Sequence, residues 1–176
     1  MRMIQMLHKL FHIGSDMEYI EQLYWELLHR DPDPEGRQAH AAGLKGHVSR
    51  MRLFEAVVLS EEAADMASRF QLANMAYEAP TIGTLLHKLL QQNNEQYVIG
   101  LYRELLCREP DPESFARHTL ALASGDSRLI VFCQFAASDE CMRLLSLPSS
   151  RPLAHKILAH ILSVHRGSQE AEFNRF

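Results

Sequence analysis

An internal repeat constrains this chain more than any other feature. Residues 19–62 align without a gap on residues 97–140, an offset of 78, and 18 of the 44 paired positions are identical. Unrelated segments would share about 3. The repeat extends upstream, where Leu7-His8-Lys9-Leu10 matches Leu86-His87-Lys88-Leu89 with one residue of slippage. A weaker third echo, Ala154-His155-Lys156-Ile157, follows the second copy. The expected organisation is a first module over 1–79, a second over 80–148, and a C-terminal capping helix and tail over 149–176.

The residues inside one copy say what the module is made of. Ile20, Leu23, Tyr24, Leu27 and Leu28 form the stripe of an amphipathic helix, and Val98, Leu101, Tyr102, Leu105 and Leu106 repeat it. Ser15 with Glu18, and Asn93 with Gln96, have capping-box spacing at its start. Glu26 with Arg30, and Glu104 with Arg108, are expected to pair across one turn. Pro32 and Pro110 must end this helix, because proline clashes with a continuing helical backbone.

Asp33-Pro34-Glu35 and Asp111-Pro112-Glu113 then supply an N-cap, a first-position proline and an early acid for a second helix. That helix is expected to stop near Gly46 and Gly125. Ser49 and Ser127 cap a third, carrying Leu53, Phe54, Val57 and Val58 or Val131, Phe132, Phe135 and Ala136. Ser60-Glu61-Glu62 and Ser138-Asp139-Glu140 look like a fresh cap, where the helix is expected to break or bend. No run of alternating β-branched residues occurs. The fold class is all-α, two tandem modules of about four helices each plus a C-terminal helix.

Composition narrows the functional classes. Hydrophobic residues make up 47% and charged residues 23%, an ordinary globular balance. Net charge is -4 with no block of Lys or Arg, so the basic patch of a nucleic-acid binder is missing. Cys107, Cys133 and Cys141 are odd in number and form no CxxC, which fits a reducing, cytoplasmic setting. Residues 1–14 lack the uncharged stretch of a signal peptide, and no segment reaches the length of a membrane span.

Catalytic and metal motifs are poorly supported. Asp31-Pro32-Asp33-Pro34-Glu35-Gly36 opens like a calcium loop, but Ala42 stands where the twelfth-position glutamate belongs. In the second copy Ser114 replaces the glycine and Leu120 ends the loop. The ten histidines include no HExxH pair. His8/His12 and His155/His160 have no acidic partner at ligand spacing, and His40 and His118 read either as structural histidines or as site residues. No GxSxG, P-loop or dinucleotide fingerprint is present. The expectation is a non-enzyme without a cofactor.

Polar residues kept in both copies are Arg30 and Arg108, Asp33 and Asp111, Arg50 and Arg128. One reading is a salt-bridge and capping network at the helix corner. The other is a ligand-facing cluster beside Tyr24, Tyr102, Trp25 and Arg103, joined by His40 and His118, because aromatic rings next to carboxylates and arginines suit a sugar.

The string LYxELLxRxPDPE, followed by Ser-Arg and then Phe-x(5)-Ser-x-Glu, resembles a bacterial family, Domain of Unknown Function 4214. The similarity covers roughly 19–64 and 97–142. Members of that family sit beside glycosyltransferase domains or in secreted, carbohydrate-associated and calcium-binding repeat proteins, and the family is faintly similar to phycobilisome linkers. The family commonly has tryptophan where His40 and His118 stand, and glycine where His29 and Cys107 stand. The resemblance implies a binding or scaffolding module for glycans or a glycosyltransferase. It also leaves a linker-type adaptor as the alternative.

Overall fold

A computed structural model describes residues 2–69 and 80–147. The expected C-terminal helix over 149–176, with its third echo and His155/His160, lies outside them. Ten helices are formed among the described residues, with no strand. The first copy holds α1 (Met3–Phe11), α2 (Asp16–Leu28), α3 (Pro34–Lys45), α4 (Arg50–Val58) and α5 (Glu61–Arg69). The second holds α6 (Ile82–Leu90), α7 (Asn94–Leu105), α8 (Pro112–Ala123), α9 (Arg128–Ala136) and α10 (Asp139–Leu144). Each copy has five helices where about four were expected, and the third long helix gives way to a fresh one at the Ser60 or Ser138 cap.

Helix boundaries follow side-chain chemistry. Asp33 and Asp111 accept the Gly36 and Ser114 N–H groups, both at 2.8 Å, and so close the open starts of α3 and α8. Ser15 and Asn93 cap α2 and α7 as one-way bonds, at 3.5 and 2.9 Å. Ser60 and Ser138 each cap the next helix at 3.2 Å while donating their hydroxyl back to Val57 or Phe135. Ser49 caps α4, but Ser127 sits at the start of α9 without a side-chain cap bond.

The ends of α2 and α7 hold two non-glycine residues in a conformation that favours glycine. His29 and Cys107 have φ of 53° and 56°, the left-handed region where a Cβ is crowded and glycine is favoured. His29 gains a partner there, its Nε2 lying 3.0 Å from Thr81 Oγ1 at the start of α6. Cys107 is exposed. Cys107→Gly is therefore expected to raise stability by about 1 kcal/mol in urea unfolding, whereas His29→Gly gains less because the Thr81 contact goes.

The two copies do not stand as separate beads. One continuous apolar cluster takes in Leu7, Tyr19, Leu23 and Phe54 from the first and Ile82, Tyr97, Leu101 and Phe132 from the second. Contacts between the copies come in reciprocal pairs. Helix α6 packs on α2, as α1 does on α7; α1 meets its counterpart α6, and α4 meets its counterpart α9. Phe54 and Phe132 occupy equivalent positions, and their rings lie 6.2 Å apart where α4 and α9 meet. This is the self-complementary arrangement of a two-fold dimer, built within one chain.

Two glutamates mark the symmetry. Glu26 accepts the Ile82 N–H at 2.9 Å, and Glu104 accepts the Met3 N–H at 2.8 Å. Each carboxylate thus serves the first turn of the other copy's opening helix, where unpaired N–H groups and the helix dipole favour negative charge. The expected pairs of Glu26 with Arg30 and Glu104 with Arg108 do not form. The left-handed residues at 29 and 107 end each helix before its arginine, which removes the one-turn geometry that such a pair needs. Gly83 completes this contact: a Cβ there would come within 3.0 Å of the Glu26 and Leu27 carbonyl oxygens.

Candidate functional site

The polar residues shared by the copies separate into two groups in space. One lies at the Pro-Asp-Pro-Glu corner. Arg30 leaves α2 and sends Nε and Nη2 to the two Glu62 carboxylate oxygens at 2.5 and 2.7 Å. Its Nη1 donates to the Asp31 carbonyl at 2.8 Å, and its guanidinium lies 5.1 Å from the Tyr24 ring centre. Arg108 repeats this with Glu140 at 2.6 and 2.9 Å, Glu109 O at 3.1 Å and Tyr102 at 4.8 Å. The planar fork matches the carboxylate, and the aromatic face beneath holds the cation.

Charge follows from that geometry. The hydrogen bond from Arg30 holds the Glu62 carboxyl below its usual range, and Glu62 in turn raises Arg30; Arg108 and Glu140 do the same. Glu62 and Glu140 lie in the first turns of α5 and α10, so the pair rivets the corner to the following helix. The sequence contained a signal for these two acids, since both copies keep them 32 residues after the arginine, but nothing in the motif tied them to it.

Tyr24 and His40 join the same corner, with Tyr24 Oη 2.8 Å from His40 Nε2. Burial lowers the His40 pKa, which keeps its imidazole neutral and able to accept the tyrosine hydroxyl. His118 makes ring contacts instead, 6.2 Å from Tyr102 and 4.9 Å from Phe135. Asp33 and Asp111 are helix caps, and the backbone N–H they accept holds each carboxyl low.

Arg50 and Arg128 form the second group, at the start of α2 and α7 where the corner lies past their ends. Arg50 Nη1 donates to the Phe11 and Ile13 carbonyls, and Nη2 reaches Asp16 at 2.7 Å. Arg128 donates to the Leu90 carbonyl and to Asn94 Oδ1. Each guanidinium lies over the tyrosine, Tyr19 or Tyr97, whose hydroxyl donates to that arginine's own carbonyl. These residues lock the turn between the first two helices of each copy and do not reach the corner. Trp25 and Arg103, equivalent in position, lie on the flank of the corner and not at its arginine–glutamate pair. Trp25 is 52% exposed over a shallow hollow with Ile13 and Asp31, and Arg103 pairs with Glu109 at 2.6 Å.

Besides the first copy's open hollow under Trp25, about 530 Å³ and reaching Asp31, the second copy has an open groove against its arginine–tyrosine pair. It measures about 430 Å³, with Tyr102 and Phe135 in its wall and Arg108, Arg117, Gln134 and Arg143 around it. Arg117, Gln134 and Arg143 were missed by sequence reasoning because they are private to this copy, and attention to shared residues passes over them. Cys133 and Cys141 are buried, and burial pushes the Cys141 thiol up to about 12, far from a reactive thiolate. Among the described residues no group of three or more His, Cys, Asp or Glu could hold a metal ion. Nor is any helix among them long and apolar enough to cross a membrane.

The depressed groups set an acid profile. Burial lowers His40, His118 and His87, so each favours folding fully above the ordinary imidazole value of 6.5. That contribution is lost as pH falls through the lowered folded values. Glu62 and Glu140, ordinarily 4.5, lose theirs at lower pH by the same sign. The melting temperature is expected to fall in two stages below pH 6.5, and a His40→Gln, His118→Gln double variant is expected to shrink the first stage.

The architecture defines a class: an internally duplicated, all-α pseudo-dimer whose repeats carry an arginine-riveted corner. The model of the family described as Domain of unknown function (DUF4214) matches residues 10–67 and again 86–145. The chain belongs to that family, in two tandem copies. No curated protein and no solved structure gave a match.

Proposed function

We propose that the chain is a non-catalytic binding or scaffolding module that works with bacterial surface-polysaccharide or glycosylation machinery, in the cytoplasm, holding a carbohydrate or a glycosyltransferase. The observation that carries this reading is the second-copy groove, where Arg117, Arg143 and Gln134 line the same surface as Tyr102 and Phe135. Such a mixture of apolar surface and donors is what a sugar ring requires. No nucleophile, base and orienting group come together among the described corner residues, which favours binding over turnover. A glycan array, with a pull-down of a glycosyltransferase encoded nearby, tests the proposal. Binding in either supports it, and silence in both overturns it.

Trp25 favours a second reading, that of a linker-type adaptor. The single tryptophan of the chain is left half exposed on α2, and tryptophan is a frequent anchor of protein interfaces. Loss of the pull-down in Trp25→Ala, with unchanged thermal stability, would decide for this reading.

A further inference from the structure

The first copy serves as an internal control for the groove in the second. Tyr102, Arg108, Ser138 and Glu140 repeat Tyr24, Arg30, Ser60 and Glu62, so the corner itself is common to both copies. Around it the copies diverge. Arg117 stands where the first copy has Ala39, Gln134 where it has Ala56, and Arg143 where it has Asp65. These three come from three helices, α8, α9 and α10, yet all line one groove. Arg117 for alanine adds one positive charge and Arg143 for aspartate adds two, in a chain whose net charge is -4. The fold does not need them, because the first copy forms the same helices without them.

Three arginines and two acids line the groove, a local excess of one positive charge. Glu140 is engaged by both forks of Arg108, and Asp139 and Glu140 are the only acids in the groove wall among the residues that line it. Arg143 donates its Nε to the Asp139 carbonyl at 3.2 Å, which anchors its base in the last helix. Arg117 lies near enough to His118 to lower its basicity further, beyond the effect of burial. At about 430 Å³ the groove holds one or two sugar rings.

We propose that this groove selects acidic sugars, a hexuronate carboxylate being taken by Arg117 and Arg143 and ring hydroxyls by Gln134. Two planar donors on separate helices suit a carboxylate, which each can engage in parallel. The inference rests on the carbohydrate reading above and names its ligand class.

Calorimetric titration with an oligogalacturonate, with a neutral oligosaccharide of equal length and with oligoglutamate tests it on the full chain. The variants are Arg117→Ala and Arg143→Asp, which install the first copy's own residues and so are compatible with the fold; melting temperature checks this. The hexuronate is expected to bind at least tenfold more tightly than either other probe. Each variant is expected to weaken it fivefold or more, and the double variant to abolish the preference over the neutral sugar. Neutral sugar bound as tightly as hexuronate overturns the acidic selectivity and leaves the carbohydrate reading standing. Equal binding of oligoglutamate shows a charge effect without sugar recognition and overturns the inference, as does hexuronate binding that ignores both substitutions. No binding of either sugar overturns it as well, and silence across the glycan array would then remove the carbohydrate reading with it.

Discussion

Replacing Phe54 with alanine is expected to lower the free energy of unfolding by about 3–5 kcal/mol, and Phe132→Ala by a similar amount. Both rings are fully buried, and they face each other where the two copies meet. Phe54 also anchors its own copy, lying 5.6 Å from Phe11. Truncation therefore opens a cavity against both halves, and the surrounding helices are pinned by caps and arginine locks that limit collapse into it. The two losses are expected to be less than additive, because the second truncation removes a neighbour the first has already lost. Urea unfolding of the single and double variants measures this. A loss below about 1 kcal/mol for both single variants would mean the interface is not a packed core.

Arg50→Ala and Arg128→Ala carry the second large effect, about 2–4 kcal/mol each. The comparison with Arg30 shows why. Arg30 and Glu62 are 39% and 43% exposed, so water screens them and the pair supplies about 0–1 kcal/mol. The Arg50 side chain is 23% exposed and serves main-chain carbonyls at the end of α1, which lose their donor when it goes. Lysine cannot span the same acceptors, so Arg50→Lys is expected to recover little. Thermal melts of Arg50→Ala beside Arg30→Ala check the ordering. An equal or larger loss for Arg30→Ala would reverse the assignment of structural roles.

Much of this fold was legible because the helices are punctuated by short-range chemistry. Asp33 and Pro34 start a helix by interactions within one turn, and the stripe from Ile20 to Leu28 is a local period; both can be read from neighbours. The meeting of the copies could not be read that way. Glu26 finds its partner 56 residues along, at Ile82, and its helical spacing to Arg30 pointed elsewhere. The left-handed turn at His29 decides between them, and histidine and cysteine do not announce that conformation as glycine would. The polar residues were visible as a set because both copies keep them. Their division into a corner around Arg30 and a turn lock around Arg50 depends on where each guanidinium points. The groove was hidden for the opposite reason, since Arg117, Gln134 and Arg143 break the repeat rather than follow it.

The shared core makes the two copies one cooperative unit, and two probes placed by nature can test this. Trp25, the single tryptophan, reports on the first copy, and a fluorophore on exposed Cys107, beside buried Cys133 and Cys141, reports on the second. Urea unfolding followed at both positions is predicted to give one coincident transition, with the same midpoint and slope. Two separated transitions, with one copy melting while the other stays folded, would contradict the account.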